Sequence, residues 1–334
     1  MHRAAITATG RCMPQLAIPN SYFYKDLGLD TTEEWIRSRT GIVTRRRADV
    51  AAGETTSAMA TTAAQQCIER AGLTADDIDG ILLATITPDQ GVNASACQVQ
   101  EKLGASRAWA FDLVAACSGY VFGLAQATAM IRSGMARRIL VIGAETMSSI
   151  LDYRDRNTCI IFGDGAGASL VEAVDEGGLE LVDFAMHSMG SGASLLTVPA
   201  GGSVLPPSQA TLDARLHYVK QDGRAVFKHA VTRISQVTVE VLENNGLTAD
   251  DVDLVIPHQA NIRIIEACSR KLKVPMDKIA VTVDQWANTT AATIPTTLDW
   301  VLTDRPERIK SGDTVVFTTF GAGFTWGSAL LRAS

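Results

Sequence analysis

The chain has 334 residues, 46% of them apolar and 20% charged, with a formal net charge of −6. That supports a sizeable core and either two domains or one large layered unit, and the acidic balance excludes a general nucleic-acid binder while leaving room for local basic patches. No uninterrupted apolar run of about 18 residues exists and the N-terminal residues lack the apolar core of a signal peptide, so neither a membrane span nor export is expected. The six cysteines, Cys12, Cys67, Cys97, Cys117, Cys159 and Cys268, are scattered, with no Cys-x-x-Cys pair and no Cys/His cluster at zinc spacing. Reduced thiols in a cytoplasmic protein without a metal site is the simplest reading.

In chain order, residues 1–14 read as a first strand running into a proline turn. Thr31 with Glu34 three residues on forms a capping-box pattern that opens a short helix ending near Gly41. Trp35 and Arg39 share one face of that helix. They are either a packed indole beside a solvated guanidinium, or a flat aromatic and a cation suited to a nucleotide base. Ser57–Ala71 is an Ala-rich helix. The phrase Gly72-Leu-Thr-Ala-Asp-Asp77-Ile-Asp then leads into a buried strand from Gly80 to Ile86.

Trp109 to Val114 is short and apolar and reads as another buried strand. From Ser118 onward, Val121, Leu124, Ala125 and Thr128 recur at helical spacing. Cys117 therefore falls where strand gives way to helix, under unpaired N–H groups that favour negative charge. A thiol placed there is a candidate nucleophile, although cysteines in apolar surroundings are commonly inert packing. Gly163-Asp-Gly-Ala-Gly-Ala168 superficially fits a dinucleotide fingerprint, but the residues that follow read as a strand rather than a helix. A tight turn with close backbone packing is expected instead. Residues 186–222 are rich in Gly, Ser and Pro and predict a long irregular connection beside a cleft mouth.

The phrase at Gly72 returns 174 residues later as Gly246-Leu-Thr-Ala-Asp-Asp251-Val-Asp, preceded by an apolar-periodic helix, Ala230–Asn244, and followed by the strand beginning at Leu254. The matched helix, turn and strand indicate an internal duplication. Under the same offset His258 matches Ala84, and Cys117 matches Ala291, inside Trp286-Ala-Asn288-Thr-Thr-Ala-Ala-Thr-Ile-Pro. If the halves pack about a pseudo-twofold axis, the two turns meet and Cys117, His258 and Asn288 converge on one cleft. The chain closes with strands Thr314–Phe320 and Ser328–Arg332 around a glycine-rich turn.

Taken in order, Ala115-Ala-Cys117-Ser-Gly, Phe162-Gly-Asp-Gly-Ala-Gly, Pro257-His258-Gln-Ala-Asn261-Ile-Arg263, Asn288-Thr-Thr-Ala-Ala and Phe320-Gly-Ala-Gly-Phe-Thr-Trp-Gly-Ser-Ala resemble the β-ketoacyl-acyl-carrier-protein synthase III family. These are initiating condensing enzymes of the thiolase superfamily, and the resemblance covers essentially the whole chain. It implies an α/β fold of duplicated βαβαβαββ halves in a five-layer αβαβα arrangement, 1–175 carrying the nucleophile and 176–334 the His and Asn, assembled as a homodimer. It implies decarboxylative condensation of an acyl-CoA starter with malonyl-acyl carrier protein, in the cytoplasm. Acyl-CoA would be a substrate, with no permanently bound cofactor, no metal, and no nucleic-acid or membrane partner.

Residue by residue, the resemblance makes Cys117 the acyl carrier and gives His258 and Asn288 the enolate. The backbone N–H groups of Cys117 and of the turn at Ala322 would hold the acyl oxyanion. Trp35 and Arg156 would sandwich the CoA adenine, Arg39 would meet its phosphates, and Asn261 and the Gly223 backbone the pantetheine arm. Lys228 and Arg263 would dock the acidic carrier protein, or form an ordinary solvated face. Three departures stand out: Trp286-Ala287 replaces the usual His-Gly before the Asn, Ala322 replaces a glycine, and Val92 takes a position at the end of the acyl pocket often held by Phe. The last points to a starter larger than acetyl. The first keeps open a same-fold acyltransferase that moves an acyl group to a hydroxyl or amine without condensation.

Overall fold

A computed structural model describes residues 2–334. Nine strands form the main sheet: β1 (Arg3–Cys12), β2 (Gly80–Ala84), β3 (Trp109–Leu113), β4 (Arg138–Glu145), β5 (Gly165–Val174), β6 (Leu179–Ser188), β7 (Leu254–Pro257), β8 (Thr314–Gly321) and β9 (Thr325–Ala333). Their order is β7-β8-β9-β6-β1-β5-β4-β2-β3. The seam is β1 against β6, where only Ala5–Glu180 and Ile6–Leu179 pair. On either side of it the sequence order repeats. Even the outer strand β3 has a remnant counterpart, an isolated parallel bridge between Val255 and Ile279 beside β7.

The principal helices are α1 (Glu33–Thr40), α2 (Thr56–Arg70), α3 (Ser95–Leu103), α4 (Gly119–Arg132), α5 (Gly223–Glu243), α6 (Ile262–Leu272) and α7 (Thr293–Asp304). Three cores order them into layers. Tyr120, Val121 and Leu124 of α4 and Ile294, Leu298 and Val301 of α7 meet Leu82, Val141, Ile256 and Phe317 in the central core. Helices α2 and α3 cover the opposite face of the β2/β4/β5 side. Helices α5 and α6 cover that of the β8/β9 side. The result is the thiolase-like αβαβα stack. The parallel strands β2, β4 and β7 are buried along their length, which is why they read as continuous apolar runs rather than alternating ones.

The repeat is local as well as topological. Thr74/Asp77 and Thr248/Asp251 both form reciprocal capping boxes before β2 and β7. Two expectations need correction. Helix α1 is capped by Thr32, not Thr31: Thr32 is extended and its hydroxyl accepts from the Trp35 N–H at 3.1 Å. Helix α5 begins at Gly223 rather than Ala230, because the Asp222 carboxylate caps the Arg224 and Ala225 amides and overrides the glycine. Between 186 and 222 the chain is mostly irregular, broken by short pieces such as Gln209–Asp213.

Candidate active site

Strand β3 ends at Leu113, and a single tight turn, Ala116–Ser118, joins it to α4. Ala116 sits at φ 47°, a left-handed conformation that costs a non-glycine residue and turns the chain sharply enough to aim Cys117 into the cleft. The elbow is held by Thr319, whose hydroxyl donates to the Cys117 carbonyl at 2.9 Å, and by the Ser118 hydroxyl, which donates to the Thr325 carbonyl at 3.0 Å. Gly321, at the end of β8, packs against the same elbow: a Cβ there would lie 2.8 Å from the Cys117 nitrogen. Burial pushes the Cys117 thiol well up, and the charge of buried Glu145 adds to this, while the Cys117 backbone N–H works the other way. The resting residue is thus a thiol rather than the thiolate that its place at a helix start suggests.

The counterpart turn, Thr290–Ala292, leads into α7 in the same manner, with Thr290 at φ 55°. The two turns touch. Gly143 of β4 makes room for the second, since a Cβ there would collide with the Ala291 carbonyl at 2.3 Å. Asn288 precedes this turn and is fixed on three sides. Its N–H donates to the Ile161 carbonyl at 3.1 Å, its carbonyl accepts from Gly163 at 3.0 Å, and its side-chain oxygen accepts from the Thr290 N–H at 2.8 Å. With the oxygen so engaged, the Nδ2 hydrogens are what Asn288 offers the cleft. His258 follows β7, its N–H bonded to the Thr318 carbonyl at 2.8 Å and its Nδ1 lying 2.7 Å from the Thr293 hydroxyl. Burial alone lowers its pKa to about 3, so the imidazole is neutral at working pH.

Cys117, His258 and Asn288 line one cleft of about 530 Å³, together with Trp35, Arg39, Asn157, Phe227, Asn261 and Gly321. A thiol, a neutral imidazole and a carboxamide from three distant segments thus face one space, which the cation-bearing helix α1 also borders. Two family models match this chain. One described as 3-oxoacyl-[acyl-carrier-protein (ACP)] synthase III matches residues 111–190, and its C-terminal counterpart matches residues 242–333. Proteins named β-ketoacyl-[acyl-carrier-protein] synthase III from Novosphingobium aromaticivorans and Caldanaerobacter subterraneus are 47% and 44% identical over 335 and 331 residues. Those alignments cover 99% of this chain and 99% and 98% of theirs.

The chain belongs to the β-ketoacyl-[acyl-carrier-protein] synthase III family.

A crystal structure of 3-oxoacyl-[acyl-carrier-protein] synthase III from Aquifex aeolicus superposes with a TM-score of 0.89 at 39% identity, covering 98% of this chain and 99% of that one.

The remaining sequence-predicted residues divide into two groups. Trp35, Arg39, Gly223 and Asn261 line the cleft. Asn261 caps α6, its side-chain oxygen accepting from Ile264 at 3.0 Å, which leaves its amide hydrogens free. Arg39 lies 4.8 Å over the Trp35 ring. Arg156 does not line the cleft. It covers Trp35 at 5.0 Å and pairs with Asp30, and a flat ring between indole and guanidinium needs about 7 Å, two contact layers. The space between Trp35 and Arg156 is therefore closed to a flat ring. Lys228 and Arg263 are exposed; Lys228 lies in a shallow groove beside the cleft, and Arg224 borders both.

Val92 is 96% exposed and away from the cleft of its own chain. Gly321 lines the cleft and packs beside Cys117, and Ala322 follows it directly. Trp286 is turned away from the cleft to lie beneath Arg11 at 5.6 Å. Glu145 went unnoticed in the sequence. It is buried at the end of β4, where its carboxylate accepts from the Ile86 N–H at 3.1 Å and the Thr87 hydroxyl at 2.5 Å. Burial raises its pKa to about 7 despite those bonds. Only the Thr85-Ile-Thr87 segment hinted at a partner for it.

Proposed function

We propose that this chain joins an acyl group from acyl-CoA to malonyl-acyl carrier protein by decarboxylative Claisen condensation. The observation that carries the reading is the convergence of Cys117, His258 and Asn288 on one cleft bordered by Trp35 and Arg39. The Cys117 sulfur attacks the thioester carbonyl, the C–S bond to CoA breaks, and CoA leaves as its thiol with the proton that Cys117 gives up. The oxyanion forms against the backbone N–H groups of Cys117 and of the turn at Ala322. Malonyl thioester then occupies the emptied cleft and loses its carboxylate as CO2. His258 Nε2 and Asn288 Nδ2 hold the enolate oxygen, fixed donors aimed at developing charge in a water-poor site. The enolate carbon attacks the acyl carbonyl, the acyl–sulfur bond breaks, and the cysteine regains a proton from solvent as 3-ketoacyl-carrier protein departs. No resident cofactor takes part.

The division of the chain into duplicated halves, 1–175 and 176–334, follows the repeated strand order about the β1–β6 seam. We read the protein as a cytoplasmic homodimer. Strand β3 is an open sheet edge flanked by apolar residues in water, Phe111 at 39%, Val114 at 78% and Val92 at 96% exposure, and such an edge needs covering. Across that interface Val92 would enter the partner's acyl pocket, its small size favouring a starter larger than acetyl. Lys228 and Arg263 supply positive charge for an acidic carrier protein on a chain of net charge −6. With Trp286 packed under Arg11, the motive for a non-condensing acyltransferase falls away.

The test is intact-protein mass spectrometry after exposure to a panel of acyl-CoAs, then addition of malonyl-carrier protein with CO2 release followed. The expected result is an acyl adduct on Cys117, then stoichiometric CO2 and a 3-ketoacyl product. Acyl transfer without CO2 overturns condensation, and a clear acetyl preference overturns the larger starter.

A further inference from the structure

Resting on the condensing reading, the geometry points to Thr293 as a positioning residue that donates its hydroxyl proton to His258 Nδ1 and so holds the imidazole with Nε2–H facing the cleft. Among the described residues, the His258–Thr293 contact, at 2.7 Å, is the one hydrogen bond to this buried ring. A neutral imidazole has one N–H and one lone pair, so whichever nitrogen receives a proton from outside leaves the other as donor. The Thr293 hydroxyl has a single proton and two possible acceptors, His258 Nδ1 at 2.7 Å and the Thr290 carbonyl at 3.1 Å.

The carbonyl is already supplied, because it takes the Thr293 backbone N–H where the Thr290–Ala292 turn passes into α7. Among the described residues His258 Nδ1 has no other partner. The proton therefore belongs on the shorter bond to Nδ1. The opposite arrangement would point a lone pair at the enolate oxygen, repelling the charge that the site must hold. The backbone around both residues is rigid: His258 is tied through its N–H to Thr318, and Thr293 is the first residue of α7. The hydroxyl thus selects the tautomer without touching substrate.

The test has two arms. In protein labelled with 15N-histidine, long-range 1H–15N correlation spectra report which nitrogen of His258 carries the proton, with H258Q assigning its signals; Nε2–H is expected in the resting enzyme. Thr293→Val keeps the shape and removes the hydroxyl. It should lower malonyl decarboxylation about a hundredfold, the low end for loss of one oxyanion donor, leave acylation by acyl-CoA unchanged, and remove the tautomer preference. Thr293→Ser should restore both. An Nδ1–H tautomer in the wild-type protein, or wild-type decarboxylation by a folded T293V, overturns the proposal. If T293V does not fold, the wild-type spectrum decides alone. A wild-type protein that forms no 3-ketoacyl product, yet shows the Nε2–H tautomer, refutes the condensing reading and leaves this assignment standing.

Discussion

Gly321→Ala tests the geometry of the nucleophile elbow directly. The added Cβ would stand 2.8 Å from the Cys117 nitrogen, 3.1 Å from the Ser118 nitrogen and 3.2 Å from the Ala115 carbonyl oxygen. Unstrained non-bonded contacts need about 3.5 Å, and all three atoms are backbone, so no side chain can rotate out of the way. The elbow must retreat by several tenths of an ångström to about 1 Å. It is held from below by the Thr319 and Ser118 hydrogen bonds, so the strain is shared with β8 rather than relieved. Overpacking of this kind costs about 1–3 kcal/mol. For a chain of this length that corresponds to a few degrees in Tm, at about 0.7 kcal/mol per degree. Catalysis should suffer more, since a misplacement near 1 Å costs about a hundredfold. The assay is the time course of the acyl adduct by intact mass, alongside a thermal melt. A Gly321→Ala protein that acylates at the wild-type rate refutes the placement of Gly321 against the nucleophile. Ala322→Gly is the control: it adds no atom beside Cys117 and keeps the backbone N–H, so it should acylate normally.

Cys117→Ala should form no acyl adduct, whereas Asn288→Ala should acylate normally and lose about a hundredfold or more in condensation; blocked acylation in Asn288→Ala would assign that residue a different role. Gly143→Ala should displace the Ala291 turn by steric collision and impair decarboxylation more than acylation, measured as separate half-reactions. His258, neutral in the fold with a pKa of about 3 and near 6.5 when unfolded, makes the unfolded chain the better proton binder between those values. Its contribution therefore disappears as pH falls from 6.5 towards 3, and in urea titrations the stability gap between wild type and His258→Gln should narrow over that range. Glu145 acts with the opposite sign. Its pKa of about 7 in the fold lies above the ordinary carboxylate value, so stability drains as pH rises from about 4.5 through 7, a slope that Glu145→Gln should flatten.

The fold was legible because its repeat is written locally. The phrase at Gly72 and its return at Gly246 end in equivalent capping boxes, and a short hydrogen-bonded motif needs the same residues wherever it occurs. The polar side chains of the site were legible for a related reason: few alternatives replace a thiol, an imidazole or a carboxamide in their chemistry. What escaped was negative space and long-range direction. Nothing local distinguishes Gly321 from Ala322 as the residue facing Cys117, because that depends on where β8 ends against the elbow. Trp286 read as a bulky neighbour of the cleft, but Arg11, 275 residues away in sequence, draws it to the other side. Glu145 and Thr293 acquire their importance from what lies behind Cys117 and His258.

The two turns also explain why the chemistry is divided as it is. Ala116 and Thr290 occupy equivalent positions, both at positive φ, and each begins a single turn leading into a central helix. Bringing two such elbows into contact seats two helix starts against each other, with Cys117 of the first facing the cleft and Asn288 just before the second lining it as well. Where one elbow carries Cys117, the other carries Ala291, which has no chemistry of its own and is buried with its carbonyl against Gly143. In the proposed reaction the reactive groups of that half are Asn288 just before the turn and His258 just after the neighbouring strand. A single elbow could hold an acyl group, but stabilising an enolate beside it requires donors that approach from the opposite side. The second half of the chain is placed to supply them.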